Sequence, residues 1–174
     1  MSLILKNYGA EVAGYSLAPE KNRESLFELA NVANGIESVI ADIRNYESLH
    51  KLVEKFQPEI IFHMAAQPLV RDSYADPIFN YETNVMGTVN IFEAARKFNS
   101  VKAIVNITTD KCYENREWVW PYRETDHLGG FDPYSASKAC SEIITSSYKR
   151  SFFENRNVGV ASARAGNVIG GGDF

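Results

Sequence analysis

Five short apolar runs, each of strand length, alternate along this chain with longer stretches whose apolar residues recur at helical spacing. Residues 10–15, 39–41, 59–65, 102–107 and 158–163 read as buried parallel strands. Residues 46–56, 76–98 and 132–153 read as helices. Asp76-Pro77 and Asp132-Pro133 open the last two, because a proline fits the first helical position behind a capping carboxylate. Residues 1–9 read as the end of an earlier helix closed at Gly9. Strand and helix repeating at this spacing predict an α/β fold with a doubly wound, Rossmann-type parallel sheet. Residues 118–131 make a loop long enough to suspect a functional lid.

Composition narrows the partners. At 174 residues the chain is one domain by length, and its net charge of −4 with 45% hydrophobic residues gives no basic footprint for nucleic acid. No apolar stretch has the length of a membrane span and the N-terminus lacks signal-peptide features, so the expected setting is cytoplasmic. Cys112 and Cys140 have no metal-ligand spacing, and His50, His63 and His127 are scattered, so no metal site is expected. Cys140 reads as a small packing residue on its helix, and nothing beside Cys112 marks it as a nucleophile.

The candidate chemistry sits at the carboxyl ends of the strands, where ligands bind in such sheets. Tyr134 and Lys138 lie one turn apart at the start of a helix. A lysine ammonium beside a phenol favours the phenolate, and moving a tyrosine from about 10 to near neutral takes roughly 4 kcal/mol. Such a phenol can take a proton from a sugar hydroxyl while a nicotinamide takes the hydride. Taken alone, the pair also fits an exposed tyrosine and lysine on a helix surface. Its neighbours shift that balance. The strand ending at Ile107 delivers Thr108-Thr109-Asp110-Lys111, a hydroxyl pair followed by an acid and a base. Ala65-Ala66-Gln67-Pro68 offers small side chains beside which a flat or phosphorylated ligand can approach the backbone, and the last strand ends in Arg164-Ala165-Gly166-Asn167.

With these residues in view the chain resembles the extended short-chain dehydrogenase/reductases, and within them the CDP-glucose branch of the nucleotide-sugar dehydratases. The resemblance is carried by Asp42-Ile43-Arg44, His63-Met64-Ala65-Ala66-Gln67-Pro68, Thr83-Asn84-Val85-Met86-Gly87-Thr88, Tyr134 with Lys138, and Arg164 to Asp173. The run Asp110-Lys111-Cys112-Tyr113-Glu114-Asn115-Arg116-Glu117-Trp118 and the terminal Gly170-Gly171-Gly172-Asp173 are its most specific parts. It implies that NAD oxidises C4 of CDP-glucose, that water leaves across C5 and C6, and that the hydride returns to C6. It further implies Tyr134 as base for the C4 hydroxyl, Lys138 as its electrostatic partner and ribose anchor, Thr109 as hydrogen-bond donor to O4, and Asp110 as acid. Lys111 is implied as base for the C5 proton or, alternatively, as the ion-pair partner that positions Asp110. On the cofactor, Asp42 and Ile43 would meet the adenine, Ala65, Ala66 and Gln67 would line the dinucleotide, and Ser16 would lie near the adenosine ribose. Asn84, Arg164 and Asn167 would face the substrate. A homodimer is also implied, with helices 76–98 and 132–153 as candidates for its contact, although a helix buried against its own sheet would show much the same apolar pattern.

Bland alternatives stand beside these roles. Asp42 could cap the following helix, Asn84 could be a buried structural amide, and Arg164 a salt-bridged core arginine. The second strand ends in Tyr15-Ser16-Leu17 with no carboxylate for the ribose 2′-hydroxyl, so NAD over NADP follows from the resemblance alone. The strand and Gly-rich turn that open the family are missing from this sequence. The expectation is therefore an incomplete dinucleotide-binding domain over residues 1–174, without a substrate domain, that binds NAD weakly or not at all. In the usual strand order the missing strand is central, which predicts a gap between the strands ending near Tyr15 and Ala65, with two open edges. A nucleotide-sugar 4-epimerase and a non-catalytic binding remnant are the other readings; an epimerase shares Tyr134 and Lys138 but has no need of Asp110 and Lys111.

Overall fold

In the computed structural model, residues 1–20 and 24–169 are described. The chain runs α1 (Ser2–Asn7), β1 (Ala13–Ser16), α2 (Leu26–Leu29), β2 (Glu37–Ile40), α3 (Tyr46–Phe56) and β3 (Ile60–His63). It continues through α4 (Val70–Ala75), α5 (Pro77–Tyr81), α6 (Gly87–Arg96), β4 (Ala103–Thr109), α7 (Pro133–Tyr148) and β5 (Gly159–Ala165). β1 pairs with β2 in one parallel sheet, and β3–β4–β5 form a second. Among the described residues no strand joins β1 to β3, and the predicted gap lies there. Ile40, Ile60 and Phe62 are exposed beside the open edges.

Local chemistry explains the boundaries. Asn45, and not Asp42, caps α3 by accepting from Ser48 N at 3.1 Å, and Gln57 closes that helix in the left-handed conformation at φ 52°. Asp76 caps α5 through Phe79 N and Asp132 caps α7 through Ser135 N, as the two Asp-Pro pairs predict. The long helix expected over 76–98 is interrupted by a π turn, Glu82–Met86, and a second π turn, Lys149–Phe153, follows α7. A π turn carries one extra residue per turn, which re-aims the side chains that follow. The short helices α2 and α4 also went unforeseen.

The apolar core lies between α3, α6 and the second sheet, where Leu49, Val53, Ile91, Phe92, Ile104, Phe153 and Val160 are buried together. α6 presses against the residues before α3: a Cβ on Gly87 would stand 2.8 Å from Ile43 Cγ2, so nothing larger than glycine fits without displacing Ile43. Gly130 is equally tight against α7, where its Cβ would fall 2.1 Å from that of Ser135.

Candidate active site at the carboxyl ends of β4 and β5

β4 ends in Thr108 and Thr109, both buried, and a single 3-10 turn then carries Asp110 and Lys111 to the surface. Thr109 Oγ1 accepts from Lys111 N at 3.3 Å and donates to Asp110 Oδ1 at 3.2 Å, fixing the turn. The Lys111 ammonium lies 3.6 Å from Asp110 Oδ1, an exposed ion pair. Asp110 Oδ2 stands against Gly166, where a Cβ would be 3.5 Å away, so the ends of β4 and β5 converge on this carboxylate.

α7 brings Tyr134 and Lys138 to the same end of the sheet, both buried. Lys138 Nζ donates to Ile107 O at 2.9 Å, which ties the helix to β4 two residues before Thr109. Burial pulls this ammonium down to about 8, although the Glu142 carboxylate one turn on works against the fall. The first turn of α7 is held from three sides. Tyr134 N donates to Ser73 Oγ at 3.2 Å, Asn80 Nδ2 donates to Pro133 O at 2.9 Å, and Asn84 Nδ2 donates to Ser137 Oγ at 2.8 Å.

Asn84, expected at the substrate, is placed otherwise. It is 2% exposed, accepts from Gln67 N at 2.8 Å, and donates to Gln67 O at 3.1 Å and to Asn80 Oδ1. It is a buried amide, set on the π turn, that ties the 65–67 strip to α7. Arg164, also expected at the substrate, is the salt-bridged arginine: Nη2 meets Glu142 Oε2 at 3.0 Å while Nη1 donates to Tyr113 OH at 2.8 Å and to Glu124 O at 3.1 Å. Asn167 is exposed just beyond β5. Gly170 to Asp173 lie outside the described residues.

Of the residues expected along a dinucleotide, Ala65 and Ala66 are half-buried behind β3, and Gln67 is buried with its side-chain Oε1 lacking a hydrogen-bond partner. An orphaned carbonyl beside two alanines suits a strip that receives a polar ligand. Ser16 is exposed at the end of β1. Asp42 accepts from Arg44 N at 2.9 Å and Nη2 at 2.8 Å, and that guanidinium holds its carboxyl below the usual range. The Ile43 side chain lies in the core against Gly87, with α6 packed directly over it, so any contact of Ile43 with an adenine would be made by its backbone. Ser16, Asp42, Ala65, Ala66 and Gln67 are the residues that could hold a dinucleotide, and each follows the carboxyl end of a strand or ends one.

Sequence reasoning passed over Glu142. It is 5% exposed, accepts from Thr108 Oγ1 and from Ser162 Oγ at 2.8 Å, and pairs with Arg164. Burial pushes its carboxyl up, but the bonds from Arg164, Thr108 and Ser162 outweigh that and hold it below the ordinary value. Its position one turn after Lys138, on the same helix face, was the available signal. Burial pushes the Cys112 thiol up to about 11, so it is a buried, protonated group beside the site.

A family model described as GDP-mannose 4,6 dehydratase matches residues 1–169. Among curated proteins, the chain is 54% identical over 180 residues to CDP-glucose 4,6-dehydratase of Salmonella typhimurium, covering 100% of this chain and 50% of that protein. It is 32% identical over 167 residues to CDP-paratose 2-epimerase of Salmonella typhi, covering 87% of this chain and 48% of the relative. The solved UDP-glucose 4-epimerase of Thermus thermophilus, in complex with NAD, superposes with TM-score 0.79 at 30% identity, covering 97% of this chain and 51% of that one. The chain spans about half the length of the curated relatives it matches.

Proposed function

The chain belongs to the GDP-mannose 4,6-dehydratase family of extended short-chain dehydrogenase/reductases, and from that premise we propose that its residues serve the NAD-dependent 4,6-dehydration of CDP-glucose to CDP-4-keto-6-deoxyglucose. The observation that carries the reading is the placing of an acid/base pair, Asp110 and Lys111, at the end of the strand on which Lys138 is anchored. An epimerase needs Tyr134 and Lys138; an elimination needs a second pair as well.

Bound NAD supplies the hydride acceptor for C4 and the donor that returns the hydride at C6. Tyr134 takes the proton of the C4 hydroxyl, with the Lys138 ammonium on the next turn favouring the phenolate. Thr109 donates a hydrogen bond to O4, whose share of negative charge grows as the carbonyl forms. The 4-keto group acidifies C5. Proton transfer within the Asp110–Lys111 ion pair, favoured once substrate excludes water, gives a neutral acid and a neutral amine. The amine takes the C5 proton and the acid protonates the departing C6 hydroxyl, so one water leaves. Asn167 and the 65–67 strip line the approach of the nucleotide sugar and the dinucleotide, with Ser16 on the far side of the gap. The homodimer that the resemblance implies would cover Ile78, Met86 and Ile143, which the helices leave exposed.

The test replaces the matching half of the Salmonella typhimurium CDP-glucose 4,6-dehydratase with residues 1–169 and incubates the chimera with CDP-glucose and NAD. The expected product is lighter by one water, and Asp110→Asn abolishes it. A product of unchanged mass, with C4 inverted, would establish the epimerase reading instead.

A further inference from the structure

We propose that Glu142 is a positioning residue: its carboxylate locks the loop 113–128 to the sheet through Arg164, and thereby holds Asp110 and Lys111 in place over Tyr134 and Lys138. Which residues react rests on the reading above; the lock itself does not. One buried carboxylate joins three elements here. From α7 it accepts from Thr108 of β4, the residue before Thr109, and from Ser162 and Arg164 of β5. Arg164 then passes the restraint outward, donating to Tyr113 OH at the start of the loop and to Glu124 O near its end, with its guanidinium 4.9 Å from the Tyr113 ring centre. Tyr113 stacks on Tyr122 at 5.1 Å, and Tyr122 meets Trp118 at 5.5 Å, so the loop is an ordered lobe and not a loose lid.

The neck of the lobe is closed by Glu114 N donating to His127 O and Gly129 N donating to Cys112 O, each at 2.9 Å. Cys112 ends the turn that carries Asp110 and Lys111. Movement of the lobe is therefore movement of the acid/base pair, and a displacement of about 1 Å in such a pair can cost on the order of 10²-fold in rate. Glutamine at 142 keeps the volume but removes the negative charge that pairs with the guanidinium, so Glu142→Gln weakens the hold on Arg164 without emptying the site. Tyr113→Phe cuts one outer link and leaves the buried carboxylate untouched.

Hydrogen exchange on the 174-residue chain reads the lock without catalysis. Glu142→Gln should raise exchange at the Glu114 and Gly129 amides about tenfold, the loss of a charge-assisted bond, with Tyr113→Phe giving a smaller rise at the same amides. In the chimera, Glu142→Gln should lower kcat by about 10²-fold with KM within about twofold, and adding it to Tyr113→Phe should cost less than the product of the two effects. Unchanged exchange at both amides would overturn the lock, as would exchange raised equally through α7, which signals general loss of packing. Should Glu142→Gln fail to fold, unchanged exchange in Tyr113→Phe overturns it alone. A chimera inactive with Glu142 intact would sink the functional reading and leave exchange to judge the lock.

Discussion

Between residues 1 and 40 no described side chain is fully buried, whereas β4 buries every second position along its seven residues and α7 buries eight of its 16. The first sheet, β1–β2, is short and, among the described residues, unpaired at both edges; the second is tied to α7 by a buried polar seam. Within that seam Thr88 donates to Asn84 O at 2.7 Å, so His63 Nε2, 3.1 Å away, must supply the hydrogen of their bond. Ser141 in turn accepts from Asn106 at 2.9 Å. The contrast teaches that the groups proposed for proton transfer are held by the second sheet together with the helices packed on it, whereas Ser16 stands on a sheet with no fully buried side chain among its described residues.

The largest effect expected is on chemistry. Tyr134→Phe in the chimera should lower turnover about 10³-fold or more with little change in thermal unfolding, which steady-state kinetics and calorimetry check together. Next comes the bolt between the halves of the site. Asn84→Ala strands the buried Gln67 N and removes the bond to Ser137 Oγ, which keeps its own bond to Tyr134 O, so chemical denaturation should show a loss of about 3 kcal/mol.

A smaller, graded effect follows from His63. Burial, with the nearby Lys138 charge, pulls its pKa down to about 3 from 6.5. Between those values the unfolded chain binds a proton that the folded chain does not, so this contribution is whole above pH 6.5 and is lost as pH falls toward 3. The slope is about 1.4 kcal/mol per pH unit for one proton. Denaturation at about pH 7, 6 and 5 should show it, and His63→Gln, which keeps an N–H for Thr88, should flatten it. Least costly is Tyr15→Phe in the first sheet. It removes bonds to Asp42 O at 2.9 Å and Asn45 O at 3.2 Å, and should cost about 1 kcal/mol or less. A loss as large as that of Asn84→Ala would erase the contrast between the sheets.

Much of the second sheet was legible in the sequence because its signals are local. Asp-Pro opens α5 and α7 where read, and α3 spans the helix drawn for it. The candidate residues on β4 and α7 could be named from the sequence because Tyr134-x-x-x-Lys138 and Thr109-Asp110-Lys111 are contiguous motifs. What escaped is non-local. The π turn at Glu82–Met86 adds a residue without a compositional mark, and the hydrogen bonds of Asn84 to Ser137 and of Arg164 to Glu142 and Tyr113 join residues far apart in the chain. Glu142 went unread because its partners, Thr108, Ser162 and Arg164, lie on two other strands.

The central claim is that Asp110 and Lys111 turn a C4 oxidation into an elimination. The most direct test supplies the chimera with CDP-glucose carrying deuterium at C4 and locates the label by NMR. The account predicts deuterium at C6 of a 4-keto-6-deoxy product. Deuterium retained at C4, in sugar that has lost no water, would contradict it.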